Sequence, residues 1–340
     1  MRRYTALVMA LLFLLAACTD DEEPPEPVEE EVEEDEERPP QGLRVGVVLP
    51  PLDVGTADEV VRDDLGFDAL ADRSEEDVAE LRALVPDGTA FVADVTTLVV
   101  VEGYDLVCVF GRDAASTVEV LAARHGATTF CAAPVDPADE YPANVVAVDL
   151  AIEELGHVVG VALGELGGQD PVALLGAGNR AGGEAFRSGL RVGLGETPLR
   201  ESRGELDDLE AELESALAEQ VAAIAVDAGP EARELLEGGL EVPLLAPAPL
   251  LESESGALRW RVRWDLVLET VIGWHLEGDE DRLPRLGMGD GVFEVQHGPQ
   301  AGPAVVAAIE EAMGELERQE RDPLEAPVVE EDEDDGDADD

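Results

Sequence analysis

The stretch Pro171–Leu190, PVALLGAGNRAGGEAFRSGL, decides the fold class of this chain. An apolar run, Val172–Leu175, is followed by a glycine-rich turn from Gly176 to Asn179 and then by a segment with helical spacing. A strand that passes through a turn into a helix is the repeating unit of α/β proteins with parallel sheets. The same layout is close to a dinucleotide fingerprint. The turn therefore has two interpretations, a nicotinamide site or a close backbone approach to another ligand.

The alternation of short apolar runs and helical patterns repeats on both sides of this stretch. Runs without polar interruption indicate strands buried on both faces, as in parallel sheets covered by helices. The predicted strands are Leu43–Pro50, Tyr104–Gly111, Thr128–Pro134, Asn144–Leu150, Pro171–Ala177, Val221–Gly229, Val242–Pro249 and the extended piece Ala257–Trp264. The predicted helices are Asp58–Ala71, Ala114–His125, Ala151–Leu166, Gly183–Gly193, Leu206–Glu219, Glu231–Glu237, Asp265–Leu276 and Pro303–Arg318. Glu75–Leu84 is expected to be helical or irregular, Thr89–Asp94 a possible strand, and Arg285–Val295 a hairpin.

This order of elements predicts two lobes in close succession, without a proline- or serine-rich linker between them. Residues 43–150 form the first lobe and residues 151–264 the second. Residues 265–320 are expected to supply hinge-crossing and closing helices, with 265–295 partly crossing back to the first lobe. Loops at the carboxyl ends of the strands of two such lobes are expected to line a ligand cleft.

The first eighteen residues, MRRYTALVMALLFLLAAC, place two arginines before an apolar run from Ala6 to Leu15. This run is shorter than the roughly 20 residues of a membrane-spanning helix and has the layout of a secretory signal. It ends in LAAC, which resembles a bacterial lipobox, although an ordinary signal peptide with an incidental cysteine is the alternative. We expect residues 1–18 to be a lipoprotein signal peptide, with Cys18 carrying lipid such as palmitate. The mature chain is then expected on the outer face of the cell membrane.

Acidic residues dominate the composition of the whole chain. There are 79 Asp and Glu against 22 basic residues, all of them arginine, and the formal net charge is −57 at pH 7. Residues 19–42 and 321–340 are acidic and poor in apolar side chains, so we expect a disordered linker and a disordered tail. The body between them is acidic as well. Because such a surface repels phosphates, no nucleic acid partner is expected.

Cysteine and histidine usage offers little catalytic or metal chemistry. Besides Cys18 there are two cysteines, Cys108 and Cys131, each in the middle of a predicted strand. They could pair outside the cytoplasm, but neighbouring parallel strands rarely offer disulfide geometry, and we expect two buried thiols. The four histidines are scattered, and no Cys–His set has metal-ligand spacing. A nucleophile elbow and a P-loop are absent from the sequence, so we expect no enzyme, no metal and no cofactor.

Eight stretches carry a family resemblance through their order and spacing. In chain order they are DVGTADEVVRDDLGFDAL, GYDLVCVFG, TTFCAAP, NVVAVDLAIEELGHVVGVALGEL, VALLGAGN with the following AFRSGLRVGL, AAIAVDAGP, RWDLVLETVIGWHLEGD and RLGMGDGVFEVQHGPQAGPAVVAAIEEAMGEL. Over about residues 43–318 the chain resembles the basic membrane protein family of lipoproteins. The resemblance implies a two-lobed type I periplasmic-binding-protein fold, an ABC permease as partner and, commonly, a purine nucleoside as ligand. Asp53 matches the turn after the first strand of the family, but Arg62 and Asp63 replace the aromatic residue and the asparagine of its next motif. The ligand class is therefore left open.

Candidate ligand contacts follow from what a nucleoside needs, an aromatic face for the base and acceptors for the ribose hydroxyls. Polar residues that follow predicted strands are expected at the cleft: Asp53, Arg112, Asp136, Asn179, Asp227 and Asp290. Phe186 and Trp264 are the candidate stacking partners. For each aspartate the alternative is a solvated surface position. For Phe186 the alternative is a core position, and for Trp264 a position in a hinge crossing.

These observations favour a binding module over an enzyme. The leading hypothesis is a lipid-anchored, extracytoplasmic substrate-binding protein of an ABC importer that holds a small polar ligand between two lobes. The alternative is a sensor or accessory lipoprotein that kept this fold but lost nucleoside transport. A Rossmann-type oxidoreductase rests on the single fingerprint-like turn alone.

Overall fold

The computed structural model describes eleven stretches of the chain. They are residues 42–49, 78–84, 95–111, 114–137, 139–176, 182–202, 206–228, 232–236, 240–251, 256–278 and 283–318. Within them the chain alternates strands and helices around two main sheets, one parallel and one mostly parallel. None of the described helices is long and apolar enough to cross a membrane.

The first sheet has five strands in the order β2-β1-β3-β4-β5, and every neighbouring pair is parallel. Its strands are β1 (Leu43–Val48), β2 (Val78–Leu84), β3 (Leu106–Phe110), β4 (Thr129–Ala133) and β5 (Val145–Ala147). All five residues of β3 are buried. Four of these five strands, β1, β3, β4 and β5, confirm predicted strands, with shorter bounds than the sequence pattern suggested. The predicted helix Asp58–Ala71 and the possible strand Thr89–Asp94 lie outside the described residues.

Strand β2 corrects the prediction that Glu75–Leu84 is helical or irregular. Its sequence, VAELRAL, is rich in residues that favour helices. It nevertheless pairs with β1 along the whole edge of the sheet, from Leu43 opposite Val78 to Val48 opposite Leu84. Tertiary pairing therefore overrides local propensity at this edge.

Apolar side chains cover both faces of the first sheet. On one face a core forms around a π-helical segment, Thr97–Glu102, and helix α1 (Ala114–Ala122). A Cβ on Gly46 of β1 would lie 3.0 Å from Leu98 Cδ1, so this segment packs directly against the strand. The side chains of the other face, among them Cys108, join a larger core that extends into the second half of the chain.

The second sheet has six strands in the order β13-β11-β10-β9-β7-β8. They are β7 (Val172–Leu175), β8 (Leu199–Glu201), β9 (Ile224–Val226), β10 (Leu244–Pro247), β11 (Leu258–Val262) and β13 (Phe293–His297). Of its described strands, only β13 is antiparallel, against β11. Among the described residues, six α-helices accompany this half: α2 (Ile152–Gly167), α3 (Gly183–Leu194), α4 (Leu206–Ala218), α5 (Arg233–Leu236), α6 (Trp264–Glu277) and α7 (Pro303–Glu317).

The predicted hairpin over Arg285–Val295 is wrong. Strand β12 (Arg285–Leu286) pairs in parallel with β6 (Asp149–Leu150), far away in sequence, and β13 pairs with β11. A 3-10 turn, Met288–Asp290, separates β12 from β13. The glycines of this region make a connection between two different sheets, a role that local sequence cannot distinguish from a hairpin turn.

The expectation of two buried thiols is also wrong, because Cys108 and Cys131 form a disulfide. The two residues lie directly opposite each other on β3 and β4, with their Cα atoms 4.4 Å apart. Parallel strands rarely permit this bond, but these two strands bring the Cα atoms to the lower end of the bonding range.

Helices α2 and α3 pack backbone to backbone. A Cβ on Gly156 or Gly160 of α2 would lie far inside van der Waals distance of a carbonyl oxygen of α3, and the same holds in reverse for Gly189 and Gly193. Such close approach is possible only where side chains are missing, as in small-xxx-small helix pairs. These glycines therefore define the spacing between α2 and α3, the first two helices of the second half of the chain.

Candidate functional site

The carboxyl edge of the first sheet carries one candidate residue in the described chain. Strand β4 ends at Ala133, a cis peptide bond leads to Pro134, and Asp136 follows as an exposed residue. The hydroxyl of Tyr141 donates a hydrogen bond to the carbonyl oxygen of Asp136 over 3.4 Å. This contact ties the loop after β4 back onto itself at the edge where ligands bind in open α/β sheets.

A surface depression of about 320 Å³ lies beside this loop, and the first half of α1 forms its other wall. Its lining residues are Ala115, Ser116, Glu119, Asp139, Glu140 and Tyr141. Burial, with the nearby Asp139 carboxylate, raises the pKa of Tyr141 to about 12. The phenol is therefore a neutral hydrogen-bond donor beside three carboxylates.

The carboxyl edge of the second sheet brings two chain segments together. Strand β7 ends at Leu175, whose carbonyl oxygen accepts a hydrogen bond from the backbone N–H of Asp227 over 3.0 Å. Gly176 follows with φ +85°, and a Cβ there would lie 3.1 Å from the carbonyl oxygen of Asp227. Glycine is required at this turn for both reasons. The first glycine of the fingerprint-like stretch thus accommodates the neighbouring strand end.

Both predicted stacking residues have aromatic partners within the protein. Phe186 of α3 is 3% exposed and stacks on Trp260 of β11, with ring centroids 5.8 Å apart. Trp264, the first residue of α6, stacks on Phe110 with centroids 4.9 Å apart and an interplanar angle of 15°. Because Phe110 ends β3, this pair joins the first sheet to the junction of β11 and α6, residues 262–265, which we call the first crossing. Phe186 lies in the core, and Trp264 lies at the crossing.

An ion-pair network surrounds the same crossing. Arg263 donates two hydrogen bonds to the carboxylate of Asp265, over 2.9 and 2.6 Å, and Asp265 is only 2% exposed. On the neighbouring strand, Glu294 accepts from Arg261 over 2.7 Å. Burial would raise the pKa of Glu294, but hydrogen bonds from Gln296 and Arg261 outweigh it and lower the pKa. The network holds β11, β13 and the start of α6 in one arrangement.

The second crossing, at β6 and β12, is built from carboxylates. Arg285 donates to Asp149 over 2.9 Å, and Asp290 accepts from the backbone N–H of Gly287 over 2.8 Å. Glu154, in the first turn of α2, accepts from the backbone N–H of Met288 over 2.5 Å. Burial and the Asp290 carboxylate raise the pKa of Glu154 above its ordinary value, and the Met288 hydrogen bond opposes them. The predicted ligand residue Asp290 therefore lies in the turn between β12 and β13, where it is exposed.

The predicted site residues divide into two groups. Asp53, Arg112, Asn179 and the lipidation candidate Cys18 lie outside the described residues, as do Arg62 and Asp63. Among the others, Asp227 directly follows β9 and is 8% exposed, and its predicted contact with a ligand stays a prediction.

Sequence reasoning missed three residues that the structure places at these edges and crossings. Ser116 and Tyr141 line the surface depression, and Glu154 contacts the second crossing. Ser116 and Glu154 are polar positions inside predicted helices, and no pattern distinguished them from solvated helix faces. Within the described stretches, no group of three or more His, Cys, Asp and Glu side chains could hold a metal ion.

Comparisons with known proteins agree with this architecture. No protein-family model matches the chain, and no curated protein matches it. An ABC transporter system solute-binding protein from Aeropyrum pernix K1 is similar in structure at 15% identity and a TM-score of 0.60, covering 82% of this chain and 92% of that chain. The chain has a type I periplasmic-binding-protein fold. It consists of two parallel-sheet α/β lobes, and at this identity the likeness shows the fold alone.

Two further solved structures share the fold. A transcriptional activator of the comK gene from Bacillus halodurans has 16% identity and a TM-score of 0.59, with 83% of this chain and 100% of that chain covered. An ABC transporter solute-binding protein from Burkholderia graminis C4D1M, in complex with D-arabinose, has 17% identity and a TM-score of 0.53, with 75% and 95% covered. Proteins with different roles therefore use this architecture, and function has to be argued from the chain itself.

Proposed function

We propose that this protein is a lipid-anchored, extracytoplasmic substrate-binding component of an ABC importer and a member of the basic membrane protein family. The observation that carries the proposal is the lipobox-like end of the N-terminal segment, LAAC at Cys18, placed ahead of a periplasmic-binding-protein fold. The solute-binding proteins that share this fold support the import role. A leader that directs export and lipidation would separate this chain from proteins of the same fold that act inside the cell.

The proposed ligand is a small polar molecule held by hydrogen bonds between the lobes, without covalent chemistry. Asp227 offers a carboxylate acceptor at the carboxyl edge of the second sheet, where such ligands bind. The rings of Phe186 and Trp264 each stack on another protein ring. A polyhydroxylated ligand needs acceptors more than a free aromatic face, and the D-arabinose complex of a structural neighbour supports this class. The family resemblance supports a purine nucleoside, and a ligand screen separates the two.

The test is a thermal-shift screen of sugars, polyols, nucleosides and amino acids on the full-length protein. A ligand at 100 times its Kd should stabilise the protein by about 2.7 kcal/mol. Asp227→Asn keeps the side-chain volume and removes the charge, so we expect it to reduce the shift by at least half. Asp170→Asn, in an exposed turn, is the matched control. If no compound of the four classes raises the melting temperature at millimolar concentration, the binding proposal is wrong.

Lipid anchoring is tested separately by mass spectrometry of the mature N-terminus. The wild-type chain should begin at a lipidated Cys18 and fractionate with membranes, and Cys18→Ala should abolish both. An unmodified Cys18 on a released protein contradicts the anchor without affecting the ligand proposal.

A sensor or accessory lipoprotein is the second candidate. It is favoured by the structural likeness to a protein described as a transcriptional activator. Cross-linking in cells distinguishes the two roles. A ligand-dependent cross-link to a permease supports import, whereas a ligand-dependent cross-link to a signalling protein without any permease supports the sensor.

A further inference from the structure

We propose that the Cys108–Cys131 disulfide is installed by an extracytoplasmic dithiol oxidase while the first sheet is still folding, and that it clamps the ligand-facing edge of that sheet. The inference rests on the export step of the proposed function. It concerns a partner enzyme and a covalent event that ligand binding itself does not require.

The position of the bond makes it a clamp between neighbouring strands. Cys108 and Cys131 are register partners at the centres of β3 and β4. Two residues further on, the same strands end at Phe110 and Ala133, where the loops of the carboxyl edge begin. The disulfide therefore restrains the end of β3, where Phe110 contacts Trp264. It also restrains the end of β4, which is followed by the loop that contains Asp136.

Burial restricts when the bond can form. Both cysteines are 0% exposed, within the larger core. The alternate residues of the same strands, Val107, Val109 and Phe130, are fully buried in the core on the opposite face. An oxidant protein cannot reach sulfur atoms that are covered on both faces of a sheet. Oxidation must therefore precede completion of the core, during folding outside the reducing cytoplasm.

The chemistry is a thiol–disulfide exchange in two steps. The thiolate of one cysteine attacks the disulfide of the oxidase and forms a mixed disulfide, and the second cysteine then displaces the oxidase. Two S–H bonds of this chain and one S–S bond of the oxidase are lost. One S–S bond of this chain and two S–H bonds of the oxidase are formed. Two electrons and two protons are thus transferred to the oxidase, which is an oxidant of the disulfide class.

The first experiment counts thiols in the full-length chain, produced with its own N-terminus in bacterial hosts with and without a dithiol oxidase. Cells are quenched in acid, and free thiols are alkylated under denaturing conditions and mapped by mass spectrometry. We expect both cysteines to escape alkylation in the first host, and at least tenfold more free thiol at both positions in the second. Equal oxidation in the two hosts, or two alkylated cysteines in the exported protein, overturns the proposal.

Fractionation of the same cells separates this proposal from the export step on which it rests. A chain retained in the cytoplasm with both thiols free contradicts export but agrees with the need for an extracytoplasmic oxidant. A cytoplasmic chain with an intact disulfide contradicts the oxidase.

The clamp is tested by thermal melting of the full-length protein. The wild type is unfolded, reduced and refolded under reductant, so that both sulfur atoms remain in the core and only the bond is missing. From the entropy of closing a 23-residue separation, we expect the melting temperature to fall by about 8 °C. The double variant Cys108→Ala/Cys131→Ala should lose at least as much and should no longer respond to reductant. An unchanged melting temperature in the fully reduced wild type overturns the clamp.

Discussion

Two pairs of neighbouring elements approach each other unusually closely, and opposite features hold them there. One pair is strands β3 and β4, and the other is helices α2 and α3. The strands are joined by a covalent bond between Cys108 and Cys131. The helices approach through the absence of side chains at positions such as Gly156 and Gly160. A disulfide acts mainly by limiting the unfolded chain, whereas glycine packing acts in the folded state, where an added atom has no room. The β3–β4 contact should therefore be weakened by reduction of the disulfide, and the α2–α3 contact by the addition of a single methyl group.

The largest effect is expected from Gly160→Ala. The new methyl group would collide with the backbone carbonyl oxygen of Leu190, which cannot rotate away as a side chain would. The two helices must separate, and we expect a loss of about 4 kcal/mol in the free energy of unfolding, measured in urea.

The matched control for this variant is Gly273→Ala in α6, where an added Cβ meets no atom within 4 Å. Removing a glycine from an open position in a helix should stabilise by about 0.5–1 kcal/mol. Equal effects of the two substitutions would show that glycine packing does not determine the α2–α3 spacing.

Loss of the disulfide is expected to cost somewhat less, about 3 kcal/mol by the chain-entropy estimate. The two changes should also differ in which part of the protein they destabilise most. Amide hydrogen exchange in the reduced protein should increase first in β3 and β4, because local stability differs between parts of a structure. In Gly160→Ala it should increase first in α2 and α3. The same pattern of exchange in both proteins would mean that the two regions unfold as one unit.

Asn144 provides a third, smaller effect within the first sheet. Its side-chain amide lies within hydrogen-bonding distance of the carbonyl oxygens of Ala122, His125 and Thr128, at 3.2, 3.3 and 3.0 Å. Asn144→Ala removes the donor that these carbonyls of the α1–β4 connection share, and we expect a loss of about 2 kcal/mol. Asn144→Asp retains the shape but cannot donate, so it should be at least as destabilising. A stable aspartate variant would contradict the role of the donor.

The sequence predicted the elements whose signals are local and failed where distant segments decide the structure. Buried strands such as β3 and β7 are continuous apolar runs, and the parallel strands of both main sheets follow from such runs. Strand β2 was missed because its side chains favour a helix and only pairing with β1 makes it a strand. The Cys108–Cys131 bond depends on strand register, which the pattern of each strand alone does not determine.

Prediction of the candidate site met the same limit. The position of Asp227 after β9 was predicted because polar residues after apolar strands mark the carboxyl edge of a sheet, and its contact with a ligand stays a prediction. Trp264 was predicted to stack on a ligand, whereas its ring stacks on Phe110, a residue of β3 that no local signal connects to it. Glu154 was missed because a glutamate in the first turn of a helix has an ordinary explanation in the helix dipole.

The smallest effect concerns this carboxylate. Burial and the Asp290 charge raise the folded-state pKa of Glu154, so the folded protein favours its neutral form. Its contribution to stability is therefore fully present below its ordinary pKa of 4.5 and is lost as the pH rises through the folded-state value. Glu154→Gln can still accept the Met288 hydrogen bond and carries no charge, so at pH 7 it should raise the melting temperature by about 2 °C.

The difference between Glu154→Gln and the wild type should disappear below about pH 4.5, where both side chains are neutral. Glu165→Gln, an exposed position on the same helix, removes one negative charge without touching the Met288–Asp290 turn. It controls for the net charge of the protein. If both variants raise the melting temperature equally at pH 7, the gain comes from the overall acidity of the chain. If only Glu154→Gln raises the melting temperature, the gain comes from the crossing between β6 and β12. That crossing is then a third close contact, and it depends on neither a covalent bond nor a missing side chain.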